Sequence, residues 1–203
     1  MTGPKRRALS APVDIAAIAS RAARLLREAK VEDFALIGGG AVRAFGLERT
    51  TKDVDFAVRE AAIPAVLEYF QGDVRQLGIG GVSLTFDDGA VVDLVDRRRD
   101  LAPLFGEALD ATRLAGSEVV AGGEQIPVVP AEYLVAMKLA AGRAQDEADI
   151  AWLLRQPEID YSLARDVTKR HLGFFAAKYL DRLARLAGRT DLGPDYEAET
   201  SDA

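Results

Sequence analysis

An apolar run, Phe34-Ala35-Leu36-Ile37, stops at Gly38-Gly39-Gly40 and gives way to a short helix-like stretch that closes at Gly46. A short apolar run bounded by glycines reads as a buried strand, and the glycines allow a tight turn out of it. Just downstream, residues 52–58 place Val54, Phe56 and Val58 in alternation with Asp53, Asp55 and Ala57, a period of two and therefore a second strand. A strand, a turn, a short helix and another strand within some two dozen residues commit this region to a layered α/β arrangement.

The flanks agree. Residues 13–29 carry Ile15, Ile18, Ala22, Leu25 and Leu26 at helical spacing, and 61–70 also reads as a helix, with Pro64 tolerated in its first turn. The runs 82–86 and 90–96 flank Asp87-Asp88-Gly89, a strong hairpin signal, and Gly78, Gly80 and Gly81 mark a loop ahead of it. Residues 112–129 read as short strands around Gly122-Gly123 and the IPVV run. Beyond Pro130 the pattern is helical throughout, over 131–142, 146–155, 161–170 and 173–187. The expected fold class is α/β (α+β): a mixed sheet flanked by helices, followed by a C-terminal helical lobe. The expected organisation is a core over 1–129 with a flexible basic arm at 1–12, a lobe over 130–189 and an acidic, disordered tail over 190–203.

The residues missing from the chain narrow its chemistry. It has no cysteine, which excludes disulfides, zinc–thiolate sites, iron–sulfur clusters and cysteine nucleophiles. Its single histidine, His171, excludes multi-histidine metal sites and is assigned to packing or a helix end. Carboxylates, lysine, arginine and backbone groups remain, together with oxygen-ligated metal. No apolar run approaches the roughly eighteen residues of a membrane span, and no apolar stretch follows the basic start to make a secretory signal. No membrane partner is expected, and cytoplasmic location is the default. The net charge of −6 argues against a duplex-DNA partner, although Asp191, Asp195, Glu197, Glu199 and Asp202 concentrate the excess at the end of the chain.

Two features point to a nucleotide site. Backbone amides at the Gly38-Gly39-Gly40 turn suit a phosphate cradle, although by itself such a turn needs no explanation beyond positive φ. Asp53 and Asp55, two residues apart on a strand, project from one face, where like charges are stabilised by a hard cation such as magnesium. Asp93 interrupts an otherwise apolar strand, and it joins the pair if that strand lies beside 53–58. Asp96 is out of phase and ranks below it. Three carboxylates facing a glycine turn suit a metal-bound nucleoside triphosphate, with two ions orienting the attacking oxygen and the leaving pyrophosphate. A Rossmann fingerprint fails because position 43 is Arg43, and a P-loop Gly-Lys-Ser/Thr is absent.

ALIGGGAVRAFG, RTTKDVDFAV and VVDLVD together resemble the nucleotidyltransferase superfamily with the polymerase-β-like core, and within it the AbiEii-type toxin-like bacterial members. The resemblance rests on Gly38 or Gly39, Arg49, Thr51, Asp53, Asp55 and Asp93. It extends to the helical MKLAAGRAQDEADIAWLL segment, with Lys138, Arg143, Asp146 and Asp149, and spans roughly 30 to 155. The chain departs from many members in having no serine at the glycine turn. The resemblance implies that Asp53, Asp55 and Asp93 hold magnesium, with Asp93 helping to deprotonate the acceptor hydroxyl. It implies a triphosphate contact from Lys138 and a cleft lined by Gly38, Gly39, Gly40, Arg49, Thr51, Arg143 and Asp149. It also implies an RNA acceptor such as a tRNA 3′ end and an antitoxin partner.

From the residues alone, Lys138 sits beside an apolar stripe of Leu134, Met137 and Ala141, and a surface lysine is the commoner fate. Asp146 reads as a helix start. Arg97, Arg98 and Arg99 suit either an acidic substrate or a solvated strand exit. The basic stripe of Lys178, Arg182, Arg185 and Arg189 reads as a solvated helix face. The expected activity is magnesium-dependent transfer of a nucleoside monophosphate. Its alternatives are a small-molecule, antibiotic-modifying nucleotidyltransferase and a non-catalytic nucleotide-binding protein of the same fold.

Overall fold

The computed structural model describes residues 14–48, 50–51 and 53–192. The arm expected over 1–12, Arg49, and residues 193–203 of the expected acidic tail lie outside the described residues. The chain opens with α1 (Ile15–Glu28), capped by the Asp14 carboxylate, which accepts from the Ala17 amide at 3.1 Å. The strand–turn–helix–strand unit follows as β1 (Phe34–Ile37), α2 (Gly38–Ala44) and β2 (Val54–Val58). Next come α3 (Ala62–Tyr69), β3 (Asp73–Gln76), β4 (Val82–Thr85) and β5 (Val91–Val95), then α4 (Ala102–Ala115). A small hairpin of β6 (Glu118–Ala121) and β7 (Glu124–Pro127) leads into α5 (Ala131–Ala141), α6 (Ala144–Leu153), α7 (Tyr161–Leu172) and α8 (Phe174–Leu186). No helix among the described residues is long and apolar enough to cross a membrane.

The main sheet has the order β1-β2-β5-β4-β3, with β2 and β5 parallel and the other neighbours antiparallel. The register aligns Phe34 with Val58, Leu36 with Phe56, Val54 with Val92, Phe56 with Leu94 and Leu84 with Val92, so these residues share one face. All are buried. That face packs on α1, where Arg27 lies over the Phe34 ring and Phe34 meets Phe56 edge-on at 5.8 Å. The opposite face carries Ile37, Asp55, Asp93 and Val95, and the later helices cover it.

Two elements depart from the expected reading. Residues 112–115 end helix α4 rather than beginning a strand. This helix buries Leu104, Phe105, Ala108, Leu109 and Thr112, with Pro103 in its first turn, where its missing amide is tolerated. The edge strand β3 is the second: all four of its residues are exposed, so no apolar alternation marks it in the sequence.

Glu107 of α4 clips the C-terminal helices onto the rest. It accepts from the Tyr133 hydroxyl at 2.9 Å, pairs with Arg170 at 2.9 Å and meets His171 Nε2 at 2.7 Å. His171 therefore serves packing at the end of α7, as its isolation in the sequence suggests. A second buried cluster joins α7 to α8: Asp181 accepts from Arg165 Nε at 2.8 Å and from the Tyr161 hydroxyl.

Candidate active site

Parallel pairing of β2 with β5 sets Asp55 directly opposite Asp93. Asp53 stands at the entry to β2, where the Thr51 hydroxyl bonds its backbone carbonyl at 3.2 Å and its carboxylate at 3.3 Å. Carboxylate oxygens of Asp53, Asp55 and Asp93 all lie within 4.8 Å of one another. Asp53 is exposed, while Asp55 and Asp93 are partly buried.

The electrostatics of the triad favour a cation. Burial, followed by repulsion from Asp53 and Asp93, raises the Asp55 pKa to about 7, against the opposing pull of Arg143 and Lys138. One oxygen of Asp93 is buried with no hydrogen-bond partner among the described residues. A buried carboxylate oxygen without a donor is costly unless an ion or ligand satisfies it. An all-oxygen set of clustered acids, one with an orphaned oxygen and one driven toward protonation by burial and by its neighbours, fits a hard divalent ion.

Gly38 opens α2 with φ +61°. A Cβ built there would lie 2.9 Å from the Asp55 Cγ, so glycine is required both by the backbone and by the carboxylate packed against it. Gly39 and Gly40 are buried behind it, and a Cβ on Gly40 would press on the Leu36 side chain at 3.0 Å.

A cleft of about 260 Å³ runs from Gly38 and Asp55 across Ile37 and Val95 to Phe105 of α4. Its far wall is α5 and the loop after it: Leu134, Met137, Lys138, Ala141 and Arg143. The apolar stripe on α5 thus faces this cleft. Lys138 is no surface lysine: it is 3% exposed, and its Nζ donates to Asp146 at 3.0 Å and to Asp149 at 2.6 Å. Arg143 caps α6, and its Nε donates to Asp146 at 2.8 Å. Asp146 is the helix-start residue expected of it, while also neutralising the two cations. Asp149 sits buried behind Lys138 rather than on the cleft surface.

The three consecutive arginines separate. Arg98 turns back to pair with buried Asp96 at 3.0 Å and with Glu60 at 3.5 Å. Arg99 is exposed. Arg97 enters the cleft. The sequence signals this only as a basic run after the third acid; in the fold Arg98 is taken up by Asp96 while Arg97 lines the cleft.

No curated protein sequence is significantly similar to the chain. Among solved structures, an antigenic nucleotidyltransferase-like protein from Paracoccidioides brasiliensis superposes with a TM-score of 0.52 at 17% identity, covering 85% of this chain and 92% of that one. It shares the fold. A putative nucleotidyltransferase from H. pylori matches at TM-score 0.44 and 15% identity, covering 86% of this chain and 95% of its own. The antibiotic-resistance factor ANT(2'')-Ia matches at TM-score 0.46 and 16% identity, covering 85% and 95% respectively. The family model described as "Nucleotidyl transferase AbiEii toxin, Type IV TA system" matches residues 22–199, a span that includes the acid triad, the glycine turn and the cleft-lining helices. The chain is a nucleotidyltransferase and belongs to the AbiEii toxin family.

Proposed function

We propose that the chain transfers a nucleoside monophosphate from a nucleoside triphosphate to a hydroxyl of an RNA acceptor, as the toxin of a toxin–antitoxin pair. The observation that carries this reading is the convergence of Asp53, Asp55 and Asp93 beside Gly38, at the mouth of a cleft rich in cations. Asp53, Asp55 and Asp93 would hold magnesium, which when bound supplies charge neutralisation at the reacting phosphate and the leaving pyrophosphate.

The chain's own residues account for the rest. The acceptor oxygen bonds to the α-phosphorus while the bond from that phosphorus to the bridging oxygen breaks, releasing pyrophosphate. Asp93, with its unpartnered oxygen at the reacting face, takes the hydroxyl proton. The Gly38 turn admits the triphosphate close to the backbone, and Lys138 and Arg143 on the opposite wall balance its charge. Gly39 and Gly40 support the turn from within. Thr51 fixes Asp53, and Asp149 holds the Lys138 ammonium in place. Arg49 is proposed as a further phosphate contact on the family resemblance alone. The AbiEii assignment supports an antitoxin partner.

The test is a transfer assay with magnesium, total bacterial RNA and each α-labelled nucleoside triphosphate, run with wild type and Asp55→Ala. Label on an RNA band with wild type only is the expected result. Label on an aminoglycoside-like acceptor and never on RNA would replace the RNA reading with small-molecule modification. Nucleotide binding without transfer to any acceptor would leave a binding protein.

A further inference from the structure

Arg97 differs from the other cations around the cleft. Lys138 and Arg143 are matched by Asp146 and Asp149. Arg97 is partly buried, and its Nε is enclosed with no hydrogen-bond partner among the described residues. Among the described residues it makes no ion pair. Its guanidinium carbon lies 6.0 Å from the centre of the Phe105 ring, the outer limit of a cation–π contact. Desolvation, then repulsion from Arg143, pulls its pKa below the ordinary arginine value.

A guanidinium partly withdrawn from water, with its Nε enclosed and no counter-charge among the described residues, is unfavourable until an anion completes it. Its planar fork matches two oxygens of a phosphate group at once. Lys138 and Arg143 line the same wall with their charges already matched by Asp146 and Asp149, so Arg97 supplies its unmatched positive charge and suits a ligand with an anionic phosphate group lying beside them. Gly38 and Asp55 on the opposite side place that ligand where the reacting phosphate must lie. Resting on the nucleotidyltransfer reading above, we infer that Arg97 is a substrate-binding residue that clamps the polyphosphate part of the nucleoside triphosphate, which leaves as pyrophosphate.

Arg97→Met keeps the apolar stem against Phe105 and deletes the fork, and Arg97→Lys keeps the charge without the bidentate geometry. Affinities of wild type and both variants for magnesium pyrophosphate, a non-hydrolysable α,β-methylene triphosphate and a nucleoside monophosphate would be measured by calorimetry. Melting temperatures without ligand would be recorded in parallel. Arg97→Met is expected to weaken pyrophosphate and triphosphate binding about ten- to hundredfold, the scale of lost charge-assisted hydrogen bonds. Monophosphate affinity is expected to stay unchanged, Arg97→Lys to fall between, and the melting temperature to hold or rise because an unpaired cation has gone. Undiminished pyrophosphate affinity in Arg97→Met would overturn the inference while leaving the transfer reading intact. So would a loss confined to RNA binding, or a clear fall in melting temperature in both variants. A wild-type chain that binds neither triphosphate nor pyrophosphate would sink both readings together.

Discussion

The Asp55 carboxylate fills the space in which a side chain on Gly38 would begin: its Cγ is 2.9 Å from that Cβ position, and Gly38 has φ +61°. Glycine turn and triad acid are thus one packed unit. Gly38→Ala is expected to destabilise the fold by about 1–3 kcal/mol through its left-handed backbone alone. It should also displace Asp55 and weaken magnesium binding, whereas a substitution at Gly89, where a Cβ meets nothing within 4 Å, should change stability through backbone strain only. Thermal melts with and without magnesium would separate the two effects.

Asp55 makes the metal-free protein pH-sensitive. Its folded pKa of about 7 lies above the ordinary 3.8, so between those values the folded state binds the extra proton. Stability without metal is therefore fullest below about pH 4 as far as this group is concerned, and that contribution is lost as pH rises through about 7. Asp55→Asn removes the dependence. The variant should gain melting temperature over wild type more at pH 8 than at pH 5, while losing all transfer. An equal gain at both values would disprove the coupling.

With magnesium the sign reverses, because the ion competes with that proton. Magnesium affinity is expected to climb with pH across the range around 7 and then level off above roughly pH 8. Calorimetric titrations in two buffers of different ionisation enthalpy would detect the released proton. Pairing that holds the triad together without a proton would make the two titrations coincide.

Lys138 has a structural duty beside its proposed one. Lys138→Met takes from buried Asp146 and Asp149 the cation they share, although Asp146 keeps Arg143. Breaking a buried pair this way costs about 3–5 kcal/mol. This variant should lose melting temperature as well as activity, unlike Asp55→Ala. A Lys138→Met protein as stable as wild type would refute the buried pairing.

Asp181 does not line the cleft and tests the lobe itself. Asp181→Ala removes the buried carboxylate that accepts from both Arg165 and the Tyr161 hydroxyl, with an expected cost of about 3–5 kcal/mol in denaturant unfolding. Residual enzyme that still folds should retain its affinity for nucleotide.

The acid triad was legible because strands write their faces into the sequence at period two. Once β5 was taken to lie beside β2, Asp55 and Asp93 had to share a face. The Gly38 turn was legible for a related reason, since an apolar strand ending in glycines has few alternatives. What the pattern leaves open is which side of a helix meets a cavity. Leu134, Met137 and Ala141 read equally well as core, and burial of Lys138 follows from Asp146 and Asp149, which reach it only after the chain turns at Gly142, φ +62°. Three adjacent arginines look alike until Asp96 captures Arg98. β3 is silent because an exposed edge strand carries no apolar alternation, and α4 is obscured by Pro103 and Gly106 within its first turns.

Because β5 slots in beside β2 rather than following it in space, the triad joins parts of the chain that are synthesised apart. At typical rates of about 5–20 residues per second, the stretch between Asp55 and Asp93 takes about 2–8 s to emerge. Lys138 and the helices that close the cleft come later still. A chain interrupted before β5 carries Asp53 and Asp55 with nothing to complete them. The acid cluster proposed as the catalytic centre is thus a product of finished translation, and a ribosome partway through this message bears only its unassembled parts.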